Sequence, residues 1–559
     1  MANKLPMAIF LAISVFFILP IFFLVRGSIS TSFKGEAFTL TFLIQALTSR
    51  NLWSLLTNTL EYGLISAAIA VGLATIYAWL MARTDTPGKT FLRLLPLFPL
   101  TIPQVVKAFA WIFLFSPKIG LVNSSLESIF GITTPLFNIF SMTGLIFANA
   151  AGGIPLAYLM IEASLQSMDP SLEDASRATG AGALRTFGRV VIPILRPAII
   201  AVFLLEALIG VESFDYPFII GRNQIPTLAT QVYNLVNVSG NFGLAAATSD
   251  IYLIITIALI GLYLYYIRKS FRFVTVTGKA TVQTLFKLGK WKWAGFAFCV
   301  GAMLVSFILP IGILVAVSLV PHYTVAPGYN TFGVLTLVNY VNAFKVSLFW
   351  TATANSFVLS IGTAVIATLI ATVMGYVLVK GRSRFTGVLQ YFSLLPLAFP
   401  GVVLSIGLIW TFLSIPGLSG LYGTVYVVLI ALVVVWLPYS IRFMSNSLVQ
   451  ISDELEEAAT VSGSSWIRKF TKVTFPLLKN GVRNSLVYIM SDSFRELGAV
   501  VLLTNSSSLT LTVLILDLYQ NTAGAFPVIS ALSIIMVLFI SILIIIPRIL
   551  IREKNRTMS

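Results

Sequence analysis

The stretch Glu456-Glu-Ala-Ala-Thr-Val-Ser-Gly463 lies between two long apolar runs, and a second version, Glu173-Asp-Ala-Ser-Arg-Ala-Thr-Gly180, stands in the first half of the chain. Each version is followed at matched spacing by one phenylalanine and one proline, which are Phe187 and Pro193 in the earlier copy and Phe470 and Pro476 in the later copy. A charged segment that recurs between apolar runs indicates a duplicated membrane protein with one such segment in each half.

The composition is also that of a membrane protein. The chain has 559 residues, of which 57% are hydrophobic and only 10% are charged, whereas soluble proteins carry about 25% charged residues. An apolar run of about 20 residues can cross a bilayer as a helix that satisfies its own backbone hydrogen bonds. We predict an all-α polytopic membrane protein with about twelve transmembrane helices, near residues 7–26, 57–82, 92–116, 140–165, 198–220, 249–268, 293–320, 354–379, 387–414, 424–448, 481–503 and 527–551.

A wider repeat relates the two halves of the chain through two offsets in residue number. Trp53 matches Trp350 and Pro103 matches Pro400 at one offset, named here the long offset, whereas the charged segments match at a smaller one, the short offset. The difference predicts an insertion in an external loop of the first half, around 123–138, where insertions are tolerated. Six spans per half give two parallel repeats. The predicted units are a first transmembrane domain at 1–268, a basic cytoplasmic linker at 269–292 and a second transmembrane domain at 293–559.

The positive charge is distributed unevenly. The chain has a net charge of +16, and most of its Lys and Arg fall in segments that are cytoplasmic when the N-terminus lies inside. This positive-inside pattern predicts a multi-pass protein of the plasma (inner) membrane with both termini in the cytoplasm. The segment Arg268–Lys292 holds seven Lys/Arg and no acid. We interpret it as a connector near anionic lipid, and we expect no nucleic-acid partner.

Several kinds of chemistry are not expected of this chain. One cysteine, Cys299, and one histidine, His322, cannot form a disulfide, a Cys/His metal cluster or a Ser/His/Asp catalytic set. Gly88-Lys89-Thr90 resembles the end of a phosphate-binding loop, but Arg83 stands where its first glycine would be required. We therefore expect no metal, no bound cofactor and no ATP hydrolysis by this chain.

The repeated charged segment has the features of a protein-docking device. Acidic residues at a helix start predict a short helix in each copy, ended by a glycine at positive φ. A second short helix should present the phenylalanine as an exposed aromatic beside basic residues, as interface anchors do, and the proline should then reset the chain for the next span. The residues assigned to docking are Glu173, Asp174, Ala175, Gly180, Arg185, Phe187 and Pro193 in the first copy, and Glu456, Glu457, Ala458, Ala459, Gly463, Arg468, Phe470 and Pro476 in the second.

The segment Glu457-Ala458-Ala459-Thr-Val-Ser-Gly463 resembles the signature loop of permease subunits of binding-protein-dependent ABC importers. The resemblance covers essentially the whole chain and implies a type I permease with two fused domains. In that family the loop forms a coupling helix that sits in a cleft of the nucleotide-binding subunit. The implied partners are two cytoplasmic ABC ATPase subunits, which use ATP and Mg²⁺, and an extracytoplasmic substrate-binding protein. The first copy departs from the pattern at Asp174 and Ser176, which implies weaker or asymmetric docking.

A narrower resemblance concerns the solute. Ser493-Phe-Arg495-Glu496-Leu-Gly498-Ala, followed by Leu516-Asp517-Leu-Tyr519, is similar to the fused iron(III) importer permeases, as is Ser116-Pro-Lys118-Ile-Gly120-Leu-Val-Asn123. Related fused permeases carry thiamine, phosphonates and other small solutes. The sequence favours iron(III) and leaves the other solutes open.

Charged residues inside the apolar runs mark a candidate solute path. Glu206, Glu212 and Asp215 lie in or near the fifth span, and Asp492, Arg495 and Glu496 lie in the eleventh. Glu212-Ser-Phe214 resembles Asp492-Ser-Phe494 at an offset slightly smaller than the short offset. Charged groups are costly in a bilayer, so they either line a wet cavity or pair with one another in a structural network. Both interpretations stay open. Lys107, near the end of the third span, is expected to extend its amine to the membrane surface.

Two classes of protein fit these patterns. An importer permease driven by separate ATPases explains the duplicated charged segment. An ion-coupled secondary transporter with two six-helix halves explains the carboxylates within the spans. Dependence of uptake on ATP and a binding protein, or instead on a proton or sodium gradient, distinguishes the two.

Overall fold

The computed structural model describes residues 18–33, 37–222, 224–270, 285–323, 329–380, 398–522 and 524–556. The first half forms helices α1 Ile18–Ser28, α2 Thr41–Thr48, α3 Leu52–Arg83, α4 Lys89–Leu94, α5 Gln104–Phe115, α6 Leu121–Phe130, α7 Met142–Gln166, α8 Ser171–Ala178, α9 Ala183–Glu212, α10 Asp215–Ile219, α11 Leu228–Asn237 and α12 Phe242–Ser270. The second half forms α13 Trp291–Ser318, α14 Val338–Lys345, α15 Phe349–Lys380, α16 Gly401–Ser414, α17 Val425–Val449, α18 Asp453–Val461, α19 Trp466–Lys469, α20 Lys479–Phe494, α21 Leu511–Asn521 and α22 Phe526–Arg556.

The helices repeat with the two offsets found in the sequence. The first residues of α3 and α15 are separated by the long offset, and both helices are 32 residues long. The first residues of α7 and α17 are separated by the short offset, and both helices are 25 residues long. The change of offset falls between these pairs, where the first half has the additional helix α6 and the second half has only a short 3₁₀ turn at Ser419–Leu421. The prediction of an all-α protein with two repeats is confirmed.

The described residues contain fewer continuous spans than the twelve predicted for the whole chain. Eight helices of the described residues are long and apolar enough to cross a membrane, and a ninth is obtained if the bent pair Lys89–Thr101 and Gln104–Phe115 counts as one span. Much of the predicted first and ninth spans, at 1–17 and 381–397, lies outside the described residues. Hydropathy detects the length of an apolar run but not a break within it, and three predicted spans contain breaks.

Each of the three breaks falls at an identifiable short stretch of the chain. The third span bends by 101° before α5, where Pro96, Pro99 and Pro103 each remove a backbone donor. The fifth span ends at Glu212 and resumes at Asp215 as the short helix α10. The eleventh span ends at Phe494 and continues as turns rather than as the predicted helix to residue 503. Irregular backbone at membrane depth is tolerated where it lines a cavity.

The halves interlock through their first helices. α1 of the first half packs on α16 of the second so closely that a Cβ on Gly27 would lie 2.4 Å from the ring of Trp410. In the reciprocal contact, the second part of α13 packs on α5, and the Tyr323 hydroxyl donates to the Ile119 carbonyl at 2.8 Å. The first helix of each half therefore packs on a helix of the other half.

Candidate functional site

A polar cavity lies where the broken spans of the two halves meet. Its volume is about 310 Å³. All five residues predicted for the solute path line it, namely Glu212, Asp215, Asp492, Arg495 and Glu496. The structure thus brings together residues that come from opposite halves of the sequence.

Arg495 joins the two halves at this cavity. Its guanidinium donates to the Asp492 carboxylate on the same helix and to the carbonyl of Leu100, which lies in the bend of the first half. The Glu496 carboxylate accepts the Ala499 backbone N–H at 3.1 Å. The ion pair between Arg495 and Asp492, one form of the structural network that the sequence left open, is therefore present. Both of its members also line the cavity.

The cavity has an excess of acidic groups. Its lining contains five carboxylates, on Glu206, Glu212, Asp215, Asp492 and Glu496, and two cations, on Lys107 and Arg495. Within the described part of the chain, one carboxylate oxygen of Glu206 and one of Glu212 have no hydrogen-bond partner. A buried acceptor without a protein donor can be satisfied by a water molecule or an ion.

Lys107 was wrongly expected to reach the membrane surface. It is 5% exposed and lines the cavity, because the bend before α5 turns the first turn of that helix toward the protein centre. Glu206, one of the charged residues of the fifth span, also lines the cavity, as do Tyr439 and Tyr488, which the sequence did not single out. The prolines before Lys107 were the available signal, since they indicate that the third span does not run straight through the bilayer.

The charged segments form two matched loops, named here the first polar loop (residues 169–193) and the second polar loop (residues 452–476). The Asp169 carboxylate accepts the Ser171 N–H at 2.9 Å, and the Ser452 hydroxyl accepts the Glu454 N–H at 3.3 Å. The short helices α8 and α18 follow, and they end before Gly180 and Gly463, whose φ angles are +80° and +75°. The predicted capped helices and their glycine ends are confirmed.

One acid in each polar loop is buried rather than presented to a partner. Glu173 is 3% exposed and pairs with Arg83, at the end of α3, at 2.7 Å. Burial raises the pKa of Glu173, and the neighbouring guanidinium opposes that shift. Glu456 instead accepts the Thr474 hydroxyl at 2.9 Å and the hydroxyl of Tyr376, in α15, at 3.1 Å. Both acids therefore fasten a polar loop to the end of the long helix of its own half.

Phe187 and Phe470 are not the exposed anchors that the sequence suggested. Each is half-buried and packs on the long helix of its half, Phe187 on Trp79 at 4.6 Å and Phe470 on Tyr376 at 5.5 Å between ring centroids. The sequence pattern identified the two phenylalanines. It could not show that each packs against a large aromatic side chain on the long helix of its own half.

Other side chains form the exposed surface of the polar loops. Leu172 and Leu455, at matched positions, are both 49% exposed, and Val461 is 89% exposed. The exposed charged residues of the predicted docking set are Asp174, Arg185, Glu457 and Arg468. The free surface of each loop thus combines apolar and charged groups, as docking surfaces do.

Pro193 does not interrupt its helix as predicted, whereas the helical turns around Pro476 end at Leu477, before α20 begins at Lys479. In the first polar loop the Ile192 N–H bonds to the Phe187 carbonyl, and in the second the Phe475 N–H bonds to the Phe470 carbonyl. These bonds form a π-helical turn directly before each proline. The wider turn accommodates a ring that would clash in a regular α-helix, so α9 continues as one helix from the loop into the membrane.

The end of the linker is attached to the first polar loop. Phe286 forms an isolated parallel bridge with Thr84, just after α3. The Arg177 guanidinium of α8 lies 4.0 Å from the centroid of the Phe286 ring and donates to the Leu285 carbonyl at 2.7 Å. The position of Arg177 is occupied in α18 by Thr460, which cannot make this contact.

Comparison with known proteins agrees with this arrangement. The family of binding-protein-dependent transport system inner membrane components matches residues 74–272 and again 367–556. The chain belongs to this family. It is accordingly a membrane permease component of an importer of that kind, and each half of the chain contains one match to the family.

The names of individual relatives refer to different solutes. The Fe(3+)-transport system permease protein FbpB 2 of Haemophilus influenzae is 26% identical over 489 residues, 87% of each chain. The ferric transport system permease protein FbpB of Actinobacillus pleuropneumoniae is 25% identical over 512 residues, 88% of this chain and 71% of the relative. A putative 2-aminoethylphosphonate transport system permease protein, PhnU, of Salmonella typhi is 26% identical over 255 residues, 45% of this chain and 87% of the relative.

Proposed function

We propose that this permease moves ferric iron from an external binding protein through the central cavity into the cytoplasm. The observation that carries the proposal is the acidic lining, with five carboxylates against two cations. A cavity lined by an excess of one charge within low-dielectric walls attracts ions of the opposite charge. Carboxylate oxygens are also the ligands that hard cations take.

The cavity suits passage of a cation better than storage. No group of three or more Asp, Glu, His or Cys side chains in the described residues is arranged to hold a metal ion. Spread-out carboxylates can draw a cation inward without binding it so tightly that release is slow. Lys107 and Arg495, in contrast, favour a second candidate solute, an organophosphonate, because both can bind its anionic group.

We assign the polar loops as the docking sites of two separate ATPase subunits, with the loops and both chain termini in the cytoplasm. ATP-driven closure of those subunits would displace the loops. Because Glu173 and Glu456 fasten the loops to α3 and Tyr376 of α15, the displacement would reach the spans that surround the cavity. The two halves would then alternate between outward-open and inward-open states, a two-state equilibrium that ATP binding and hydrolysis bias.

The solute is tested in proteoliposomes that contain the permease with its ATPase and that receive either an iron-loaded or a phosphonate-loaded binding protein. Ferric iron uptake that needs ATP, and that falls when Glu212 is replaced by glutamine, is the expected result. Uptake of the phosphonate alone, lost in Lys107→Met but not in Glu212→Gln, would replace iron by the second candidate. Uptake of neither solute, with ATP hydrolysis intact, would reject both.

A further inference from the structure

An apolar groove of about 490 Å³ runs along the outer surface of the second half, between α15 and α20. Ile361 and Val365 form its wall on α15 and are 46% and 44% exposed. Leu486 and Met490 line it on α20. This groove is separate from the central cavity and opens toward the lipid around the protein.

Two cations lie at one end of the groove. Lys479 and Arg483 line it and are one turn apart at the start of α20, next to the second polar loop. Within the described part of the chain neither forms an ion pair with an acid. Two cations near the start of a helix oppose its dipole as well as each other, so an anion at this position would stabilise both.

The dimensions of the groove match one leaflet of a bilayer. From Lys479 to Met490 the helix rises by about 16 Å at about 1.5 Å per residue, roughly half of the hydrocarbon thickness of about 30 Å. The lining is charged at the end beside the polar loop and apolar toward the membrane centre. This order, with a cationic end and an apolar channel, is complementary to an anionic headgroup followed by an acyl chain.

The first half does not reproduce the charged end. Arg196 occupies the position that matches Lys479 at the short offset, and the residue that matches Arg483 at that offset is Ile200. If the slightly smaller offset that relates Glu212 to Asp492 is used instead, the matching residue is Phe203. Either alternative is apolar. The duplication therefore supplies an internal comparison in which a similar helix carries one cation instead of two.

We propose that this groove binds an anionic phospholipid of the leaflet on the side of the polar loops, with its phosphate between Lys479 and Arg483 and one acyl chain along Leu486 and Met490. Basic residues beside membrane-embedded helices attract anionic lipid headgroups. A lipid bound here would fill the space between α15 and the helix that follows the second polar loop. The proposal does not depend on the transported solute.

Native mass spectrometry of the purified, delipidated full chain tests the site, with phosphatidylglycerol and phosphatidylcholine carrying the same acyl chains as probes. The wild-type chain should retain phosphatidylglycerol in preference to phosphatidylcholine. Lys479→Ser with Arg483→Ser should lower the affinity for phosphatidylglycerol by about 30-fold, because each cation contributes about fivefold. The charge-preserving exchange Lys479→Arg with Arg483→Lys should bind as the wild type does, and the matched first-half variant Arg196→Ser should too.

A second variant tests the groove itself. Leu486→Trp fills the acyl channel without changing charge and should also reduce retention. The single serine variants, each about fivefold weaker, keep the test decisive if the double variant does not fold. Equal binding of the two lipids by the wild-type chain, or equal phosphatidylglycerol binding by the wild-type chain and the serine variants, would overturn the proposal.

Discussion

The two polar loops occupy matched positions but are fastened by different chemistry. In the first half Arg83 and Glu173 form an ion pair whose side chains are 3% and 4% exposed. In the second half Lys380 replaces Arg83 and pairs with Asp453, whose side chain is 67% exposed. Glu456 accepts two hydroxyl groups and lies 3.9 Å from the Lys469 ammonium of its own loop. A loop can therefore be fastened to its span by one buried charge pair or by several weaker contacts, and the single buried pair should be less tolerant of losing one partner.

The largest expected effect concerns this difference. Arg83→Ala leaves the Glu173 carboxylate buried without its cation, which should lower the free energy of unfolding by about 3 kcal/mol or more. Lys380→Ala should cost about 1 kcal/mol or less, because its partner is exposed and Glu456 keeps its hydroxyl donors. Thermal unfolding of the purified variants measures both. Equal losses would show that the two fastenings are equivalent.

Exposed charges at matched positions of the two polar loops should also contribute unequally to ATP-driven uptake. Glu457→Lys, in the second polar loop, should reduce ATP-driven uptake by about 30-fold through repulsion in a docking interface. The matched change Asp174→Lys should reduce it only about threefold, because the first loop departs from the family pattern and Asp174 already pairs with Arg177 at 3.4 Å. Insertion into the membrane should be normal in both. A larger loss in the first loop would reverse the assigned asymmetry.

Matched carboxylates of the cavity should separate stability from transport. Asp492→Asn weakens the contact with Arg495 and should cost about 2 kcal/mol of stability as well as uptake. Glu212→Gln, at the matching position, neutralises a carboxylate with an unpartnered oxygen. It should therefore raise stability by about 1 kcal/mol while lowering uptake. Unfolding and uptake assays on the same preparations measure the two effects separately for each variant. Unchanged uptake in Glu212→Gln would remove that residue from the path.

The linker contact should give the smallest effect. Phe286→Ala removes the ring beneath Arg177, a cation–π contact worth about 1 kcal/mol, and should increase hydrogen exchange in α8 with little change in overall stability. The second polar loop is the internal control, since α18 carries Thr460 in place of Arg177 and its exchange should not change. Faster exchange in both helices would indicate a general loosening instead.

The same comparison of the two halves shows which features of the fold and of the site could be predicted from the sequence. The repeat, the two offsets, the glycine-ended helices and the candidate path were predictable because each depends on local pattern or composition. The breaks in the fifth and eleventh spans were not predictable, because hydropathy does not register a short gap within an apolar run, whereas the break in the third span was signalled by its three prolines. The contact of Arg495 with Leu100 joins distant parts of the chain, and no local pattern specifies such a partner.

The burial of the loop residues could not be predicted for a related reason. Glu173, Phe187, Glu456 and Phe470 have the composition of a docking surface, but each has a partner at the end of the long helix of its half. Among the partners, Trp79 and Tyr376 are a matched pair at the long offset, and Arg83, the partner of Glu173, matches Lys380, which pairs with Asp453. These pairs could indicate contacts between loop and helix only if the helix residues were matched at the long offset and the loop residues at the short offset.

The central claim is that energy from separate ATPase subunits enters through the two polar loops and moves solute through the shared cavity. Its most direct test is ferric iron uptake by proteoliposomes that contain this chain and the loaded binding protein, with or without the ATPase subunits and with ATP or an imposed ion gradient. The account predicts uptake only when the ATPase subunits and ATP are both present, and its loss in Glu457→Lys. Uptake driven by a proton or sodium gradient in the absence of the ATPase subunits would contradict it.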